Sequence, residues 1–264
     1  GPVLIDIPDD LQRQLVDPLK LKNFKAPVAQ DSPHLNNSLH DTIDLIKNAK
    51  RPILIAGWGV HLSNTEAQFL KFAESFNLPI ALTWGAADLI PFDHDLYVGT
   101  FGTHGNRHAN FAVQNADLII SLGSRLDTKS TGSPINTFAR KARKIMVDID
   151  INELDKFQYF DLKFDQLIHC DLRDFFNNFS KLEPTDDTSN NLGWLKQINK
   201  WKHQFTSFDD TKSIATTQVN PYNFVDYISS NLKGTEQIFI DTGCSIAWFM
   251  QSLRVKDKVR VFHD

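Results

Sequence analysis

The sequence predicts an α/β protein built on a parallel sheet with helices on both faces. Short apolar runs, "RPILIAG", "LPIALT", "ADLIISLGS", "KIMVDID" and "QLIHCD", recur through the middle of the chain. Helical patterns fall between most of them, and several runs end in glycine or acidic turns. Parallel strands need long crossovers and are buried on both sides, so this rhythm and these near-continuous apolar runs belong together.

Taken in order, "VLIDIP" near the start reads as a strand buried on both faces. Residues 8–35 hold Pro8, Pro18, Pro27 and Pro33, spaced too closely for any long helix, and read as a linker. An amphipathic helix is expected from Leu39 through Ile43, Ile46 and Ala49, followed by a strand over 53–57. Asn64 is the expected N-cap of a helix that carries Phe69 to Phe76. Strands follow over 78–83, 116–124, 144–150 and 166–171, with helices over 106–115, 152–156 and 171–179. This part is a Rossmann-like domain. The acidic, polar stretch 183–192 reads as a second linker. Beyond it come a helix carrying Trp194 and Trp201, a helix over "YNFVDYISSNL" that ends near Gly234, a strand in "EQIFIDTG", a helix in "CSIAWFMQSL" and a strand in "RVFHD". The chain starts and stops in strand-like runs, and both ends are expected to cut through folded units.

The 264 residues carry 28 Lys plus Arg against 32 Asp plus Glu, a net charge of 28 − 32 = −4. That balance gives no general attraction to nucleic acid or an anionic membrane, so any anion site must be local. Cys170 and Cys244 lie far apart with no paired ligand motif around either, which predicts a reducing compartment, the cytoplasm by default, and no cysteine metal site. No signal peptide or membrane span is evident, and the protein is expected to be soluble.

Ligands of open parallel sheets sit outside the carboxyl ends of the strands. The turns there are Gly57-Trp58-Gly59, Thr83-Trp84-Gly85, Gly123-Ser124-Arg125-Leu126-Asp127 and Asp148-Ile149-Asp150. Glycines let the main chain approach a ligand closely, helix-start N–H groups favour phosphate, and Arg125 can fork onto one. An acidic strand end can accept from ribose or adenine groups, so the set describes a nucleotide-shaped site. Gly57-x-Gly59 lacks the third glycine of the dinucleotide fingerprint and reads equally as a tight strand-to-helix turn. Arg125 and Asp127 could instead pair with each other or with Lys129. His104 and His108 stand four apart, but Gly105 occupies the metalloprotease glutamate position and no third ligand is evident, so the pair reads as a helix start plus a surface histidine. Cys170 reads as a small buried residue, and Trp58 and Trp84 could stack on a flat ring.

Read in order, "GPVLIDIPDDLQ", "RPILIAGWGV", "FDHDLYVGTFGTHGNRHANFAVQNADLIISLGSRLD", "VDIDINEL" and "IDTGCSIAW" resemble thiamine diphosphate-dependent enzymes of the acetolactate synthase (acetohydroxyacid synthase) type over nearly the whole chain. The resemblance implies the end of a pyrimidine-binding domain and a linker over 1–37, a central domain over 38–182, and a linker and the start of a diphosphate-binding domain over 183–264. It implies a transferase or lyase acting on 2-oxo acids, with thiamine diphosphate and Mg2+ as cofactors in the parent enzyme and a homodimeric or homotetrameric assembly. Its activating glutamate is expected upstream of Gly1 and its magnesium motif downstream of Asp264, so the fragment alone is expected to be inactive and to hold no catalytic residue.

In that family the central domain holds FAD, largely in a structural role. The resemblance carries this onto Gly57, Trp58, Gly59, Thr83, Gly85, Gly102, His104, Gly105, Gly123, Arg125, Asp127, Asp148, Asp150 and Glu153. Gly243, Cys244 and Ser245 stand where a family loop approaches the thiamine diphosphate phosphates. Trp58 and the run Arg125 to Lys129 differ from the family's flavin turns and are compatible with FAD, another adenine nucleotide, or an empty pocket. A noncatalytic nucleotide-binding or assembly module is the alternative reading.

Overall fold

The computed structural model describes residues 4–25, 35–182, 191–206 and 219–263. Val3, Pro27, Pro33, residues 183–190 and Asp264, on which several expectations fall, lie outside them. The chain divides into two units, Gly1–Asp31 and Ser32–Asp264. Within the first, α1 (Asp9–Gln12) is one turn long, and a 3-10 turn at Pro18–Lys20 is capped by the Asp17 side chain, which accepts from the Leu19 amide. The strand expected over "VLIDIP" is not formed at residues 4–8, where Leu4 and Ile5 are 92% and 77% exposed. An apolar run becomes a strand only where a neighbour pairs with its main chain, and no described strand does so here.

The second unit opens with α2 (Leu35–Asn48), whose Leu35, Leu39, Ile43 and Ile46 repeat at helical spacing and are buried together. It starts four residues earlier than Leu39. β1 (Pro52–Ala56) follows, then the short α3 (Gly59–Leu62) and α4 (Glu66–Ser75). Asn64 is not the N-cap of α4: it lies in the left-handed region at φ 53°, and Thr65 holds the cap position. Asparagine tolerates that conformation as well as it caps, so composition alone left the choice open. β2 (Ile80–Leu82), β3 (Tyr97–Thr100), α5 (Arg107–Asn115), β4 (Leu118–Leu122) and α6 (Thr128–Thr131) come next. They are followed by β5 (Arg143–Asp148), α7 (Ile151–Asp155), β6 (Gln166–His169) and α8 (Leu172–Phe179).

β1 to β6 form one parallel sheet in the order β3-β2-β1-β4-β5-β6. Alternate residues of each central strand feed two separate cores. Leu54, Ile80, Ile120 and Ile145 pack with α2, α4 and α8, while Ile53, Ile55, Ile119 and Met146 pack with α5 and α9 (Leu192–Gln204). The expected parallel sheet with helices on both faces is therefore present. The edge strand β3 is an element that the sequence pattern did not suggest, because its four residues include Gly99 at φ 124°. Trp194 fixes α9 to the sheet by donating from Nε1 to the Pro52 carbonyl at 3.1 Å.

α10 (Pro221–Asn231), β7 (Gln237–Ile240), α11 (Cys244–Ser252) and β8 (Arg260–His263) complete the unit. β7 and β8 pair in parallel as a separate two-stranded sheet, one face of which meets α10 and α11 through Ile240, Val261, Val225 and Met250.

Candidate functional site

The chain leaves β1 for β2 in one direction and β4 for β5 in the other, so the adjacent pair β1 and β4 marks the point where strand order reverses. A cavity of about 860 Å³ opens there. Its wall is made by the turns after β1 (Gly57, Trp58, Gly59), β2 (Thr83, Trp84, Gly85), β4 (Gly123, Ser124, Arg125, Leu126, Asp127), β5 (Asp148, Ile149, Asp150, Glu153) and β6 (Asp171, Leu172, Arg173). Leu62, Ser63, Phe101, Lys129, Ser130 and His263 add to it.

The glycines have a cause beyond access to a ligand. A Cβ on Gly57 would stand 2.2 Å from the Gly123 carbonyl oxygen, and one on Gly59 would stand 2.7 Å from the Gly123 Cα. Gly123 itself lies at φ 58°. The turns after β1 and β4 are thus pressed together, sealed by the Gly59 amide donating to the Gly123 carbonyl at 2.9 Å. Leu126 continues this turn in the left-handed region at φ 45°, where a branched side chain is strained, and its buried side chain closes the cavity wall.

The acidic candidates have defined duties. Asp127 accepts from the Ser130 amide at 2.9 Å and caps α6, and Asp150 accepts from the Asn152 amide at 2.9 Å and caps α7. Asp148 accepts from the Asp150 amide, also at 2.9 Å. Burial raises its pKa above the ordinary carboxylate value, with the charges of Glu153 and Asp150 adding to the effect. Arg125 does not pair with Asp127, which caps α6: its Nε donates to Glu153 Oε1 at 2.8 Å, and Lys156 Nζ donates to the other oxygen at 2.6 Å. Burial works to raise the Glu153 pKa, but these two cations outweigh it and hold the carboxyl below its usual range. The exposed Arg125, Lys129 and Arg173 give the rim positive charge beside these acids.

Gly102, His104 and Gly105 do not line the cavity; they sit behind its wall. A Cβ on Gly102 would stand 2.4 Å from the Lys129 carbonyl, and the His104 ring stacks on Trp84 with centroids 5.9 Å apart. His104 and His108 do not share a helix face, because α5 begins only at Arg107. His108 is not a surface residue either: it is 8% exposed, burial lowers its pKa to about 4, and its Nδ1 faces the Phe205 carbonyl. Among the described residues no group of three His, Cys, Asp or Glu side chains is placed to hold a metal ion, and no helix is long and apolar enough to cross a membrane. Cys170 is buried, with its thiol pushed up to about 12 by burial and by Asp174 and Asp171. Gly243, Cys244 and Ser245 lie apart from the cavity, at the start of α11, with Gly243 at φ 93° and Cys244 exposed. Asp171 and Arg173 were absent from the sequence-derived set, although the same strand-end rule applied to "LIHCDLRD" reaches them. His263 comes from β8, and no local pattern signals it.

A family model described as "Thiamine pyrophosphate enzyme, central domain" matches residues 39–177. The chain belongs to this family. It is 37% identical over 161 residues to a probable acetolactate synthase 2, chloroplastic, of Oryza sativa, covering 59% of this chain and 24% of that protein. It is 30% identical over 273 residues to a probable acetolactate synthase large subunit of Methanocaldococcus jannaschii, covering 97% of this chain and 44% of that protein. An acetolactate synthase large subunit of Lactococcus lactis is 29% identical over 254 residues, covering 95% of this chain and 42% of that protein. The chain thus spans less than half the length of these relatives.

Proposed function

We propose that this chain is the central portion of a thiamine diphosphate-dependent transferase or lyase of the acetolactate synthase type, acting on 2-oxo acids. In this reading residues 1–37 end a pyrimidine-binding domain, 38–182 form the central domain, and 183–264 begin the diphosphate-binding domain. The cavity at the meeting of β1 and β4 is its adenine-nucleotide site, with FAD as the first occupant to test. The observation that carries the nucleotide reading is the pairing of a glycine-built floor with a charged rim. Gly57, Gly59 and Gly123 let the turns after β1 and β4 close on each other, which puts main chain at the base of the cavity. Arg125 supplies a guanidinium for phosphate, and Asp148 and Asp150 supply acceptors for ribose or adenine groups.

Gly243, Cys244 and Ser245 open α11, a nine-residue helix, and would face the diphosphate of thiamine diphosphate. When bound, thiamine diphosphate supplies the nucleophilic carbon and electron sink for cleaving a bond next to a 2-oxo group. In this reading the parent protein provides the activating glutamate and the Mg2+ site, assembles as a homodimer or homotetramer in the cytoplasm, and residues 1–264 alone are inactive.

Titration calorimetry with FAD and with ADP tests the cavity. Saturable binding that weakens about tenfold in Arg125→Ala supports it, as expected for loss of one charge-assisted contact to phosphate. Absence of binding by both ligands overturns the nucleotide site. The catalytic reading is tested separately by assaying the parent gene product with pyruvate, with and without thiamine diphosphate and Mg2+; cofactor-independent or absent turnover of 2-oxo acids overturns it.

A further inference from the structure

Four side chains meet where the turn after β1 faces β8. His61, on α3, is nearly enclosed, with 7% of its side chain exposed, and both of its ring nitrogens face carboxylates. Nδ1 lies 2.9 Å from Glu66 Oε1, and Nε2 lies 2.9 Å from Asp88 Oδ1. The Asp88 side chain is 1% exposed, and its second oxygen takes two donors from β8: Arg260 Nε at 2.8 Å and the Val261 amide at 2.9 Å. The Arg260 guanidinium lies 5.7 Å from the centre of the Trp58 ring, which is itself 4.9 Å from the His61 ring. Trp58 is part of the cavity wall.

A neutral imidazole has one N–H and one lone pair, so between two carboxylates it must direct the lone pair at one of them. Only the imidazolium donates to both. The charged groups facing the ring are Glu66 of α4, Asp88 of the turn after β2 and Arg260 of β8, two acids against one base. Losing the His61 proton removes one hydrogen bond, to Asp88 or to the half-exposed Glu66. In either tautomer it removes the positive charge beside buried Asp88, leaving Arg260 as its cationic partner among the described residues and weakening its hold. Asp88 is also the group that fastens β8.

We propose that His61 is a positioning residue that, when protonated, clasps β8 to the wall of the cavity through Asp88, and that loosens this connection as pH rises. The inference does not depend on what the cavity holds. Burial alone would lower the His61 pKa, but the hydrogen bonds to Asp88 and Glu66 outweigh it and raise the pKa above 6.5. A group raised in this way stabilises the folded state fully below its unfolded pKa, and the contribution is lost as pH climbs through the folded one. The clasp is therefore closed in mild acid and opens as pH climbs through that raised pKa.

The Val261 amide reports on the clasp directly, because it donates to Asp88. Site-resolved hydrogen exchange on the full chain, corrected for intrinsic exchange rates, is expected to show Val261 protection falling about tenfold or more between about pH 6 and about pH 9, the scale of one charge-assisted hydrogen bond. Leu54, at the centre of the large sheet, should hold constant protection over the same range. In Glu66→Gln the fall should shift to lower pH, and in His61→Gln it should vanish. Nitrogen shifts of the His61 ring give a readout that needs no variant: both nitrogens should be protonated at about pH 6. Flat Val261 protection in the unaltered protein, a fall that persists in His61→Gln, or a neutral His61 ring at about pH 6 overturns the proposal.

Discussion

The two sheets of the second unit answer to the same rule with different neighbours. β1 and β4 are buried along every residue, because strands lie on both sides of each and helices cover both faces. β7 (QIFI) and β8 (RVFH) are equally parallel and also carry large apolar residues, yet Phe239 is 74% exposed and stacks across the strand pair on Phe262, with centroids 5.0 Å apart. Apolar composition makes a segment competent to be a buried strand. Burial itself comes from what packs on it.

This contrast can be broken by experiment, and the largest effect belongs to the covered sheet. Phe72 is 1% exposed and meets the rings of Phe76, Phe175, Phe176 and Phe179 edge-on. Phe72→Ala should cost about 3–5 kcal/mol in chemical denaturation, as a large ring removed from a closed core does. The cysteines provide the next test, one in each region. Burial lifts the Cys170 thiol to about 12 from an ordinary 9.0, so a thiolate-specific reagent should label exposed Cys244 first and Cys170 about a thousandfold more slowly, as followed by mass spectrometry. Labelling of both at similar rates would mean that the large sheet opens far more readily than its burial implies. Gly57→Ala forces a Cβ into the Gly123 carbonyl and should lower stability by about 1–3 kcal/mol, measured in the same denaturation assay. Phe239→Ala should change stability by no more than about 0.5 kcal/mol, since most of that ring already meets solvent. A larger loss there would show that the outer face of β7 and β8 is covered in solution.

Much of the second unit was legible because its signals are local. The run "PILIA", the spacing of Leu39, Ile43 and Ile46, and the alternation of runs and helices are each visible within about a dozen residues. β3 escaped because a four-residue edge strand containing a glycine carries too little pattern. "VLIDIP" misled for the opposite reason: its pattern is strong, but the ladder partner that makes a strand is not a property of the run. The turns of the cavity could be grouped from the strand-end rule alone, and Gly57, Arg125 and Asp148 all reach it. Which groups they engage could not, because Arg125 finds Glu153 across 28 positions and His61 is joined to β8 through Asp88. Such pairings depend on side-chain reach in three dimensions, which spacing along the chain does not encode.

The interlocked Gly57, Gly59 and Gly123 separate two tasks that often compete. Because the base of the cavity is made of main chain pressed against main chain, its shape is fixed by folding and owes nothing to the side chains that select an occupant. Arg125, Lys129 and Arg173 have exposed side chains and take no part in that base. The exposed residues around the cavity are therefore open to substitution independently of its base, while a change at any of the three glycines presses on the turn that faces it.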